Sequence, residues 1–102
     1  MPTRDVLVEA TLIDSDGNPL SGKPVNLYYK LSTEETYSDI GTNPHTTDAN
    51  GKASDIISLT IPETYDFRAE FPGDDQYEAS SAELTNQTIK AKTQITLIIT
   101  PQ

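Results

Sequence analysis

Between residues 64 and 71, Tyr65, Phe67, Ala69 and Phe71 alternate strictly with Thr64, Asp66, Arg68 and Glu70. A strand turns successive side chains to opposite faces, so this spacing makes one apolar face and one polar face, whereas a helix would scatter the four apolar residues around its axis. The segment therefore needs a sheet with one side buried. The same period recurs in "VLVEATLID", where Val6, Val8, Ala10 and Leu12 share a face, and in "PVNLYYKL", where Val25, Leu27, Tyr29 and Leu31 do. In "ASDIISLTI", Ala53, Ile57, Leu59 and Ile61 fall on one parity with Asp55, which predicts a bulge or an edge position. The β-branched run "KTQITLIITPQ" reads as a further strand, with Ile95, Leu97 and Ile99 on one parity.

Turn chemistry separates these runs at near-regular intervals: "DSDGNPLSGKP", "GTNP", "DANG", "IPET" and "FPGDD". Glycine supplies positive φ, proline presets its own φ, and Asp or Asn side chains close local turns. No helical period longer than two turns occurs. The expectation is an all-β fold, an Ig-like antiparallel β-sandwich of about seven strands, forming one domain over residues 1–102. The chain has no cysteine, so neither a disulfide nor a thiolate metal site can form. Seven Lys and Arg against sixteen Asp and Glu give a net charge of −9, which argues against nucleic acid or anionic lipid as a partner. No apolar run approaches the ~20 residues of a membrane span, and "MPTRDVLVEA" lacks the long apolar core of a signal peptide. If the parent protein is exported, this chain is expected to be a piece of it.

The order of the motifs carries a resemblance. Asp16-Gly17-Asn18-Pro19-Leu20, the run from Gly22 to Val25, Thr47-Asp48-Ala49-Asn50-Gly51, and Tyr65 with Ala69, Phe71, Gly73-Asp74 and Tyr77 resemble the bacterial and archaeal Ig-like repeats found in tandem on large cell-surface proteins. That family implies a non-catalytic stalk, spacer or adhesion module in an extracellular setting, with neighbouring repeats as partners. In it, a strand resembling "KTQITLIITP" opens each repeat, so residues 93–102 read as the opening strand of a following repeat. The strand from Thr93 to Thr100 would then dock on its own sheet or exchange with a neighbouring molecule. Tyr65, two residues before the inward Phe67, stands where such sandwiches carry a corner tyrosine that bonds back to the backbone.

The residues that could carry chemistry each have a plainer reading. Asp14, Asp16 and Asn18 have the alternating oxygens of a calcium loop, but an EF-hand starting at Asp14 would need Glu where Val25 stands. A looser calcium site would join them to Asp48 and Asn50, or to Asp74 and Asp75, across loops; otherwise no cofactor is expected. Asp74 and Asp75 follow Pro72-Gly73 with no base nearby in sequence and read as a turn. His45, the one histidine, sits in a loop sequence and reads as solvent-exposed, without a nucleophile-elbow motif. Tyr28 is expected to face solvent, and Tyr37 and Tyr77 lie near loops; these three are the candidates for stacking on a glycan or anchoring a surface protein. Asn86 opens an "NQT" glycosylation sequon. The alternative to a spacer is therefore a carbohydrate- or protein-binding sandwich, helped by calcium.

Overall fold

The computed structural model describes residues 3–89 and 94–101. Its strands are β1 (Thr3–Leu12), β2 (Pro24–Leu31), β3 (Ser38–Asp39), β4 (His45–Thr46), β5 (Lys52–Thr60), β6 (Glu63–Phe71), β7 (Ser80–Ile89) and β8 (Gln94–Ile99). They form two sheets, one ordered β5-β1-β8 and the other β3-β2-β6-β7 with β4 also on β2. The chain is an Ig-like β-sandwich without a disulfide, and no helix occurs among the described residues. The described residues form eight strands, in keeping with the expected seven or so, because the edge beside β2 is broken into two-residue pieces. Between them Asn43 acts as a substitute rung: its Oδ1 accepts from the Leu27 N–H at 2.9 Å, and its Nδ2 donates to the Leu27 carbonyl at 3.0 Å.

The core follows the period-two reading. Val6, Val8, Ala10 and Leu12 from β1 meet Val25 and Leu27 from β2, and Tyr65, Phe67, Ala69 and Phe71 from β6, all buried. Ile95, Leu97 and Ile99 complete the first sheet's inner face, while Tyr29 and Leu31 are half-buried against the core. The predicted corner is present. The Tyr65 hydroxyl accepts from the Thr60 N–H at 3.2 Å, so a residue of one sheet holds the last residue of β5 in the other where the chain crosses between them.

Of the two alternatives expected for β5 the edge position holds, and the all-antiparallel expectation needs correction. The β1–β5 register runs without a break, so β5 carries no bulge against β1; its irregular pattern reflects an edge position alone. The bulge lies between β6 and β7, where Asp66 faces both Thr85 and Asn86, and Asn86 takes φ 56°. The sandwich is also not wholly antiparallel, because β8 pairs with β1 in parallel, from Leu7 opposite Gln94 to Leu12 opposite Ile99. Thr3 and Ile99 consequently lie at opposite ends of the sheet. A ten-residue strand spans roughly 33 Å, and the molecule's longest dimension is 45 Å. Residues 94–99 thus pair within the chain; Lys92, Thr93 and Gln102, also part of the expected terminal strand, lie outside the described residues.

Candidate functional site

Three acidic turns gather at the end of the sandwich where β1 stops and β5 starts. In the first, Asp14 Oδ1 accepts from the N–H groups of Asp16 and Asn18, both at 2.9 Å, and Gly17 has φ 87°. In the second, Asp48 Oδ1 accepts from Asn50 and Lys52 at 2.8 and 3.0 Å, with Gly51 at φ 75°. The two loops are the same device. They touch through Gly51, where an added Cβ would come within 2.6 Å of the Leu12 carbonyl and 3.0 Å of Pro19 Cβ. In the third, Asp74 Oδ1 accepts from Gln76 and Tyr77 at 2.8 and 2.9 Å, and its Oδ2 receives Lys23 Nζ at 2.6 Å.

These bonds hold the carboxyls low. The Asn18 amide lowers the pKa of Asp14, the Lys52 amide that of Asp48, and the Lys23 ammonium that of Asp74. In each case a carboxylate oxygen is directed to its own turn. Asp16 and Asp75 are exposed on these same loops. Among the described residues, no three His, Asp or Glu side chains come together in a group suited to a metal ion.

His45 departs from its sequence reading. It lies in β4, its side chain is only 12% exposed, and it bridges the sheets. Asp55, the residue that broke the pattern of β5, reaches its Nε2 from the other sheet at 3.0 Å, and Asn43 Oδ1 stands 3.0 Å from Nδ1. The orientation of Asn43 is fixed by its two bonds to Leu27, so each ring nitrogen faces an oxygen acceptor. A triad histidine needs a hydroxyl on one nitrogen; here an amide oxygen occupies that place. The bond from His45 depresses the Asp55 pKa, and an added Cβ on Gly41 would run into the Asp55 carboxylate. The expected result for His45→Gln is a loss of about 1 kcal/mol, the worth of one such hydrogen bond, read as a lower urea midpoint at unchanged slope.

The best-built polar cluster is one the sequence did not advertise. Asp66 is buried although its parity is that of the polar face, because Lys30 on β2, Ser32 just after it and the Asn86 amide of β7 close on its carboxylate. Its Oδ2 takes Lys30 Nζ at 2.8 Å, and its Oδ1 takes the Ser32 hydroxyl at 2.7 Å and the Asn86 N–H at 2.8 Å. Lys30 also donates to the Glu34 carbonyl and lies 5.4 Å from the Tyr37 ring centre. Tyr37 donates to Glu83 at 2.8 Å, and burial, with that bond second, raises its pKa. Tyr28 is half-buried rather than solvent-facing, its ring centre 6.4 Å from that of Tyr37.

The tyrosine candidates thus divide: Tyr28 and Tyr37 form one pair over the outer face, while Tyr77 lies apart beside Lys23, 5.8 Å from its ring centre. Asn86 is exposed within the β7 bulge. A hollow of about 250 Å³ near Arg68, Phe71 and Ser80 is smaller than the ~300 Å³ at which ligand pockets begin, and Arg68 there is bonded to Glu70 at 2.9 Å.

Neither a protein family nor a curated protein matches the chain. Among solved structures it is similar to chlorocatechol 1,2-dioxygenase from Pseudomonas putida, with a TM-score of 0.61 at 12% identity, covering 97% of this chain and 60% of that one. What they share is the fold. A second similarity, to a Streptococcal ancillary pilin, has a TM-score of 0.48 at 19% identity and covers 98% of this chain and 33% of that one. This chain therefore spans less than two thirds of either protein.

Proposed function

We propose that this chain is a non-catalytic spacer module of a larger cell-surface protein, transmitting load along its strands and projecting a distal partner outward. The observation that carries the reading is the parallel β1–β8 ladder. Tension applied through the outer ends of two parallel neighbours shears their rungs together, so the bonds from Leu7 to Leu12 resist as a set rather than one after another. The tyrosine corner and the self-bonded acidic turns stiffen the connections that such a module would load. The resemblance to tandem Ig-like surface repeats supports the extracellular setting and the neighbouring modules as partners.

The test exploits the absence of native cysteine, because introduced thiols then become unique handles. Pulling between handles at residues 3 and 101 should require several times the force needed between residues 15 and 101, where β8 is peeled from β1 one rung at a time. Equal forces in the two geometries would overturn the reading. Calcium, added and then chelated, should leave the thermal midpoint where it was, since an ion held by the native state alone would raise it. A calcium-dependent rise would move the protein to the binding-module reading.

A further inference from the structure

Each sandwich edge but one carries a device that discourages a further strand. The β3 and β4 edge is only two residues long in each piece, β5 points Asp55 inward toward His45, and β7 is bent by the bulge at Asn86. The exception is β8. Its sequence, QITLII, has no charge, proline or glycine, and among the described strands it pairs with β1 alone. The Ile99 carbonyl accepts from the Ile13 N–H on the β1 side. Because backbone groups alternate in direction along a strand, Ile95, Leu97 and Ile99 turn theirs toward β1, and Gln94, Thr96 and Ile98 turn theirs to the free edge.

We propose that this edge pairs with β8 of a second copy of the chain, antiparallel about a twofold axis through Thr96. Thr96 then faces its own counterpart, Gln94 faces the other copy's Ile98, and each pair exchanges both backbone hydrogen bonds. A second copy always presents this same uncharged edge, and the edge is where it can pair despite the net negative charge of both chains. The chain carries −9, and β1, β2, β5, β6 and β7 each hold at least one acidic or basic residue, so β8 is the long strand along which two copies meet with no like charges opposed. Ile98, 59% exposed, and Ile56, 64% exposed, both lie on the outer face of the sheet that the pairing would extend. This inference is independent of the spacer reading, because it concerns sideways association rather than the path of load.

Sedimentation velocity from micromolar to millimolar concentration tests it. The wild-type chain should pass from monomer to dimer, more readily as salt screens the repulsion between acidic copies. Thr96→Pro removes an N–H that faces away from β1, and Ile98→Lys places a charge on the exposed side of the strand; both should stay monomeric while melting close to the wild type. If the proline impairs folding, the lysine variant still decides. A wild-type chain that remains monomeric at millimolar concentration, or folded variants that dimerise as it does, would overturn the proposal.

Discussion

Asp66→Ala should lower the unfolding free energy by about 3 kcal/mol, near the lower end of the cost of removing one partner from a buried ion pair. The carboxylate accepts from Lys30, Ser32 and the Asn86 amide, and its removal strips all three donors at once. Lys30, whose side chain is 14% exposed, would keep its charge among the Glu34 carbonyl and the Tyr37 ring without its counterion. A double-mutant cycle with Lys30→Met separates the pair from the cost of a stranded ammonium. Restoring stability in the double variant relative to Asp66→Ala is the expected result, read from urea midpoints. A loss below about 1 kcal/mol for Asp66→Ala would mean that the cluster is no more than a surface ion pair.

The same carboxylate gives the chain an acid dependence. Lys30, then Ser32 and the Asn86 amide, hold its pKa at about 2 in the folded state, below the ordinary 3.8. A depressed carboxyl stabilises the fold above its unfolded pKa and loses that contribution as pH falls through the folded value. The gap between the wild type and Asp66→Ala should therefore narrow by about 2 kcal/mol between roughly pH 4 and pH 2. Asp14, Asp48, Asp55 and Asp74 are shifted in the same direction, so they steepen the acid limb of both proteins and cancel in the difference.

What could be read from the residues was whatever depends on neighbours two positions away. Val6, Val8, Ala10, Leu12 and the β6 face are buried as their alternation requires, and Tyr65 makes its corner because the cue lies within one strand and the turn before it. Parity failed where a distant segment changes the environment. Asp66 belongs to the polar face by spacing, yet Lys30, Ser32 and the Asn86 amide close on its carboxylate, and no local pattern records which distant groups will meet there. His45 reads as loop because its partner Asp55 comes from the opposite sheet. β7 is hard to read because Ala82 and Leu84 stand in a polar run whose register the bulge then shifts. The direction of β8 is a property of the sheet order, which alternation alone does not specify.

Phe67→Ala should cost about 4 kcal/mol, within the 3–5 kcal/mol typical of emptying an aromatic core site. Phe67 is fully buried, lies between Tyr29 on β2 and Leu84 on β7, and has its ring centre 6.3 Å from that of Tyr65. With no cysteine to staple the sheets, their attachment depends on packing across the layer. Small domains have only about 5–15 kcal/mol in total, so the alanine variant should sit close to its unfolding transition. Phe67→Leu keeps most of the volume and should lose less than about 1.5 kcal/mol, a contrast that separates cavity formation from a requirement for an aromatic ring. The reading is a fall in urea midpoint with unchanged slope, because the surface exposed on unfolding hardly differs. If alanine and leucine were equally mild, the two sheets would not be closing on this residue, and the shear path through β1 and β8 would rest on a looser core than the burial of Phe67 implies.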